Sequence, residues 1–290
     1  MPVRIGITLG DPAGIGPEIV EKALASAKLR NRAEFHIIGE RGAQKPGKPT
    51  KTSAQAALAA MEEAARLANA GEIAAVVTGP VHKARMSEIG FPFPGQTEFF
   101  ASRSNTTNYA MLLTADTITV ALVTTHIPLR EVPSALRTSE IVRVGKLLVN
   151  FLIRRGINTP HIAVAGLNPH AGESGKIGRE EMEIIEPAVR ELHSAFGNRH
   201  SAFFDGPISP DTLFHHLARG NWQAALCMYH DQGLIPLKLH GFDQGVNVTI
   251  GLPYPRTSPD HGTAFDIAGK DIARPDSMIA AINLAIELVD

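Results

Sequence analysis

Apolar residues in this chain come in short runs, separated by polar and helix-favouring stretches. VRIGITL (3–9), EFHIIG (34–39), IAAVVTG (73–79), ITVALVTT (118–125), HIAVAGL (161–167), AALCMY (224–229) and NVTIGL (247–252) have the length and β-rich content of buried strands. Helical stretches fall between them. One begins at Gly16 or Pro17, where proline suits the first turn. An Ala-rich helix over 53–70 opens on Ser53 as its N-cap. SEIVRVGKLLVNFLIRR is a helix stopped by Gly156. A helix of about 20 residues follows Gly178, and a last one starts near Asp276. This alternation predicts an α/β fold with a largely parallel sheet and helices on both faces.

The Lys/Pro/Gly-rich segment 39–53 predicts a loop. A boundary is expected near GFPFPG (90–95), with a return crossing near 240–246. That divides the chain into a discontinuous first domain, 1–92 with 245–290, and a second domain, 93–244.

Composition narrows the function classes. The 290 residues are 44% hydrophobic and carry a net charge of −1, without a basic run, so nucleic acid is not an expected partner. No stretch has the length and hydropathy of a membrane span or a signal-peptide core. The single cysteine, Cys227, sits in an apolar run and reads as a buried thiol, and a cytoplasmic setting is expected.

Three histidines share one setting. His126, His170 and His230 each stand at or just past the end of an apolar strand. In an open α/β sheet that edge is where ligands bind. Neutral imidazoles suit Zn²⁺, Co²⁺ or Ni²⁺, although each histidine could equally be an ordinary hydrogen-bonded loop residue. GDPAGIGPE (10–18) is either a ligand-approaching turn at a helix N-terminus or a tight strand–helix connection. DHGTAFDIAGK (260–270) could hold a nucleotide or be simply a loop. Lys238, Asn247 and Arg256, on successive strands or loops, form a candidate anion-binding set, with solvated surface as the alternative. Asp211 and Asp231 are candidate acid/base or metal-orienting carboxylates, and Asp211 could instead be an N-cap.

Taken together, GDPAGIGPE, TGPVHK (78–83), GQTEFF (95–100), TTHIPLR (124–130), GLNPHAGE (166–173), DGPISPDTLF (205–214), MYHDQGLIPLK (228–238), GVNVTIGLP (245–253) and RTSPDHGTAFDIAGK (256–270) resemble the 4-hydroxythreonine-4-phosphate dehydrogenase family of pyridoxal 5′-phosphate biosynthesis. The chain is more remotely similar to isocitrate and isopropylmalate dehydrogenases. The resemblance implies their α/β/α fold, with two domains and the active site in the cleft. It implies that NAD, or NADP, is held with the help of His261, Gly262, Thr263 and Asp266. It implies a divalent metal, Zn²⁺, Co²⁺ or Mg²⁺, on His126, His170 and His230, in a homodimer whose sites draw ligands from both subunits. Gln96, Thr97, Lys238, Asn247 and Arg256 match substrate-binding positions, and Asp211 and Asp231 match carboxylates near the reacting carbon.

The implied reaction oxidises 4-phosphohydroxy-L-threonine to 2-amino-3-oxo-4-phosphooxybutanoate, which loses CO₂ to give 3-amino-2-oxopropyl phosphate. A sister enzyme acting on 4-phospho-threonate or 4-phospho-erythronate, or a non-catalytic sensor of a phosphorylated metabolite, is the alternative. Two departures stand out. Gln96 replaces the histidine usual before Thr97, and the segment leading into the 53–70 helix is shorter than the family's.

Overall fold

Every apolar run named above becomes a strand. A computed structural model describes residues 3–115, 117–196 and 201–289. In chain order its elements are β1 (Arg4–Thr8), α1 (Gly16–Ala25), β2 (Glu34–Ile38), α2 (Lys51–Asn69), β3 (Ala75–Thr78), α3 (Lys83–Glu88), α4 (Gln96–Arg103), β4 (Ala110–Ala115), β5 (Ile118–Leu122) and α5 (Val132–Ala135). They continue with α6 (Thr138–Arg154), β6 (His161–Ala165), α7 (Glu186–Phe196), β7 (Phe203–Ile208), α8 (Pro210–Leu217), β8 (Ala224–Cys227), α9 (His230–Gly241), β9 (Val246–Ile250), β10 (Arg256–Pro259) and α10 (Asp276–Glu287). Contacts group them into two compact units, Met1–Thr107 with Asp243–Asp290, and Asn108–Phe242. The segment 93–107, assigned above to the second domain, therefore packs with the first.

In the discontinuous unit the strands run in the order β2-β1-β3-β10-β9. All pairs are parallel except β9 with β10. Ile5, Ile7, Val76 and Val77 have no exposed surface, as expected where helices cover both faces of a sheet. Ala54, Ala57, Met61, Ala64, Ala65 and Ala68 form the buried stripe of α2 at helical spacing. The helix starts earlier than expected, with Thr50 as N-cap. Ser53 is its third residue and closes a capping box: Ser53 N donates to Thr50 Oγ1 and Thr50 N donates to Ser53 Oγ, both at 3.0 Å. Two hydroxyls three residues apart satisfy two terminal amides, where Ser53 alone would satisfy one.

The second unit runs β4-β5-β8-β6-β7 and is parallel apart from the β4–β5 hairpin. Met111, Leu113, Val120, Leu122, Ala163, Ala225 and Cys227 pack with Leu213 and Leu217 of α8 and Leu234 and Leu237 of α9. The alternate residues, among them Leu112, Ala121, Ile162, Val164 and Leu226, are also buried, so both faces are covered. Cys227 is free and fully buried, and burial pushes its thiol pKa up, in keeping with an inert packing role. The helix expected after Gly178 is not uniform. Glu181–Ile185 form a π turn before α7 begins. Pro187 explains it: lacking an N–H, it cannot bond the Glu183 carbonyl one turn back. The end of the expected helix, 197–198, lies outside the described residues.

Candidate functional site

In the second unit, β5, β8 and β6 are parallel neighbours, so the loops leaving their C-terminal ends share one sheet edge. Pairing of β5 with β8 continues past the strands. Val123 N donates to Cys227 O at 2.9 Å, and the Thr124 amide and hydroxyl donate to Met228 O at 3.2 and 2.8 Å. This brings His126 and His230 together, with ring centroids 5.7 Å apart and planes tilted by 45°. His230 opens α9, and its Nδ1 lies 2.6 Å from Asp231 Oδ1. A carboxylate on Nδ1 fixes the tautomer that leaves Nε2 as the electron-pair donor. Asp231 is thus engaged in orienting a histidine.

His170 lies in the Pro169–Gly175 turn, in which His170, Ala171, Gly172, Glu173 and Ser174 all have positive φ. Left-handed backbone costs about 1–2 kcal/mol for each residue other than glycine, so its surroundings must hold this turn in place. His170 Nδ1 lies 3.5 Å from Glu173 Oε1. Asp211, in the first turn of α8, accepts from the Ser209 hydroxyl at 2.6 Å. That hydrogen bond, with the nearby His170 ring, holds its carboxyl below the usual range. Ser209, not Asp211, is the N-cap.

Two imidazoles sharing a zinc ion at the usual Zn–N length of about 2 Å place their ring centroids roughly 5–6 Å apart. The His126–His230 pair fits that spacing and that donor chemistry. Among the described residues, however, no group of three His, Cys, Asp or Glu side chains converges as a metal would require, and His170 is not brought to the pair. Lys238 lies on α9 rather than on a strand or loop, with its ammonium 5.8 Å from the Phe242 ring centroid.

In the discontinuous unit, Arg256 begins β10 and is 2% exposed. Its Nη2 donates to Thr78 Oγ1 and, at 3.1 Å, to Gln96 Oε1. Its Nη1 donates to Thr249 Oγ1 at 3.4 Å, and its Nε is buried without a partner. Gln96, opening α4, donates to Gly79 O at 3.1 Å, and Thr97 and Thr249 hydroxyls meet at 3.3 Å. Burial pushes the guanidinium pKa down to about 10, so it stays charged at neutral pH. Its bonded partners are all neutral, and among the described residues no carboxylate forms an ion pair with it. The nearby Glu98 charge offsets part of the burial penalty, and a buried cation without an ion-pair partner has the chemistry to take an anion. Asn247 on β9 contributes another buried, unpartnered oxygen, its Oδ1.

The two Gly-rich segments pack on each other. Ile15 N donates to Thr263 O at 2.9 Å, and Glu18 accepts from Gly269 N and Ala273 N at 3.3 and 2.9 Å. At Gly14 a Cβ would stand 2.8 Å from Thr263 O. Asp11 N, Ala13 N and Gly14 N are likewise bonded, to Pro80 O, Asp11 Oδ1 and Asp11 O. Four amides of the loop before α1 are thus taken within the protein, which favours the tight-connection alternative for GDPAGIGPE over a phosphate cradle. In the 260–270 segment, Thr263 is buried, Gly262 and Asp266 are exposed, and His261 keeps a buried Nε2 without a partner. That orphaned nitrogen and the exposed turn beside it fit a polar ligand such as a nucleotide.

Sequence reading passes over Thr78, Thr249, Glu181 and Gln232. The first two sit inside recognisable motifs and become visible only as partners of Arg256. Gln232, 6% exposed, accepts from Met228 N at 2.7 Å and donates to Gly166 O at 2.6 Å, joining the β8 and β6 ends.

The chain matches the family model for pyridoxal phosphate biosynthetic protein PdxA over residues 16–285. A 4-hydroxythreonine-4-phosphate dehydrogenase from Erythrobacter litoralis is 41% identical over 326 aligned residues, which cover 98% of this chain and 96% of that one. The solved 4-hydroxythreonine-4-phosphate dehydrogenase of Klebsiella pneumoniae is 36% identical, with a TM-score of 0.85 and full coverage of both chains. A β-decarboxylating dehydrogenase from Thermococcus kodakarensis, 19% identical, covers 98% of this chain and 83% of its own with a TM-score of 0.56. That last likeness is one of fold, and it agrees with the isocitrate-dehydrogenase-like architecture expected from the motifs.

Proposed function

Because the chain belongs to the PdxA family of pyridoxal phosphate biosynthetic proteins, we propose that it is a dehydrogenase that oxidises 4-phosphohydroxy-L-threonine, using a nicotinamide nucleotide and a divalent metal. The observation that carries the substrate class is Arg256, a buried cation bonded to neutral groups alone. A phosphate brought to it gains charge-assisted hydrogen bonds and adds an ion-pair partner to a charge that burial disfavours and that the Glu98 charge only partly offsets. Gln96 and Thr97 add neutral donors beside it, and Lys238 and Asn247 are the further substrate contacts of this reading.

His126, His170 and His230 would hold the metal, and His261, Gly262, Thr263 and Asp266 the nucleotide. When bound, the metal supplies Lewis-acid polarisation of the substrate's oxygens, and NAD, or NADP, supplies the hydride acceptor. Asp211, kept ionised by Ser209, is the available proton acceptor for the substrate hydroxyl. Asp231 holds His230 in its coordinating tautomer. The oxidised product is a β-keto acid, and its loss of CO₂ gives 3-amino-2-oxopropyl phosphate.

The single chain's pair of histidines is completed, in this reading, within a homodimer. Ile235, Leu239 and Phe242 support that assembly. Ile235 and Leu239 lie four residues apart on α9, Phe242 follows at its C-terminal end, and the three are 65%, 88% and 67% exposed. No helix among the described residues is long and apolar enough to cross a membrane, and the reading places the enzyme in the cytoplasm.

An NADH absorbance assay tests the proposal. The protein is supplied in turn with 4-phosphohydroxy-L-threonine, 4-phospho-threonate and 4-phospho-erythronate, with and without chelator. Turnover of the first substrate, lost on chelation, is expected. Preference for either of the others moves the chain to a sister activity, and binding without turnover of any makes it a sensor.

A further inference from the structure

Glu181 has no part in the chemistry above, yet it is 2% exposed and fully bonded. Its Oε1 accepts from the amides of Leu167 and Asn168 at 2.8 and 2.7 Å, and its Oε2 accepts from Asn168 Nδ2 at 3.0 Å. Those two residues join the end of β6 to the turn that carries His170. At Gly172, in the middle of that turn, a Cβ would stand 2.6 Å from Glu181 Oε2, and at Gly166 one would stand 3.2 Å from Oε1. The carboxylate therefore fills the inside of the left-handed turn. Among the described residues no cation pairs with it, so its charge is met by N–H donors.

An ionised acceptor bonded to successive backbone amides fixes their direction more strongly than a neutral one would. Here the amides immediately precede a backbone that four non-glycine residues of positive φ make unfavourable on its own. We propose that Glu181 is a positioning residue: its buried carboxylate clamps the left-handed turn and so sets where the His170 imidazole stands. The inference rests on the reading that His170 serves the metal site.

The test compares wild type, Glu181→Gln, Glu181→Asp and His170→Ala as full-length protein freed of metal. Circular dichroism and thermal unfolding establish that each folds. Co²⁺ alone is then titrated in without substrate, and its visible absorption is recorded. His170→Ala is expected to lose the wild-type cobalt spectrum. Glu181→Gln is expected to fold, to bind Co²⁺ roughly 10–100-fold more weakly, and to show a shifted spectrum. Glu181→Asp, which keeps the charge but retracts it by one carbon, should fall between, and it carries the test alone if the glutamine variant does not fold. In turnover, the loss should appear in kcat while the KM for NAD is unchanged. A Glu181 variant that unfolds at a lower temperature but binds Co²⁺ with wild-type affinity and spectrum makes the residue merely structural and overturns the inference. A His170→Ala protein that binds Co²⁺ normally instead overturns the metal reading itself, and the inference with it.

Discussion

Replacing Arg256 separates a functional cation from a structural one. Burial pushes the guanidinium pKa down from its ordinary value to about 10. A shift of that size means that holding the charge there costs roughly 3 kcal/mol. The sign is that of a base with a depressed folded-state pKa: the penalty is complete below about 10, hence at neutral pH, and fades only as pH rises through the two values. Arg256→Met keeps length and removes the charge, but leaves Thr78, Gln96 and Thr249 without their donor. Those neutral acceptors can re-pair with one another, and an unmet neutral group costs about 1–3 kcal/mol. The two effects are comparable, so the unfolding midpoint should change little. Function should not be spared. Loss of one or two charge-assisted hydrogen bonds at about 1.5–3 kcal/mol each lowers kcat/KM for the phosphorylated substrate at least tenfold. The KM for NAD should stay put. Inorganic phosphate at a hundred times its Kd should stabilise the wild type by about 2.7 kcal/mol, whereas the variant should respond no more to phosphate than to chloride at equal ionic strength. Differential scanning calorimetry and steady-state kinetics read both arms. A variant that unfolds many degrees lower while keeping its substrate KM and its phosphate response would refute the reasoning and make Arg256 a structural residue.

Exhaustive chelation should abolish turnover, with Zn²⁺ or Co²⁺ restoring it; full activity in protein verified metal-free by elemental analysis would remove the metal from the reading. Asp231→Asn should weaken metal binding roughly 10–100-fold with little change in unfolding temperature, since the side chain is 67% exposed; calorimetric titration of Zn²⁺ checks it. Leu239→Glu places a charge twice in a two-fold interface and should shift the protein from dimer to monomer in sedimentation velocity, with loss of activity; an unchanged sedimentation coefficient would move the interface elsewhere. If the histidines come from two subunits, at least one pairwise mixture of His126→Ala, His170→Ala and His230→Ala chains should recover up to about half of a wild-type dimer's activity. No recovery in any mixture, with subunit exchange demonstrated, would put all three on one chain.

What the sequence determined by itself is the class of fold, the placing of most elements and the family. Strand runs such as VRIGITL and HIAVAGL are legible because a strand buried on both faces must be apolar throughout, a condition local enough to see in a few residues. Three strands were not legible that way. RTSP is polar because it carries Arg256. FFDGPI is broken by Gly-Pro, and AMLLTA, which pairs with the next apolar run in a hairpin, was passed over. Motif residues were legible as a list, but not as a site. Tertiary structure alone decided that β8 lies between β5 and β6, which sets His126 beside His230. It decided that Arg256, 160 residues from Gln96 and 178 from Thr78, loses its water among neutral partners. It also gave Glu181 its turn to hold, where the sequence shows only one more acidic residue at a helix start. Periodicity and caps are properties of a few consecutive residues. Strand order, burial and the hydrogen bonds of a buried charge depend on segments distant in sequence, whose meeting no local pattern records.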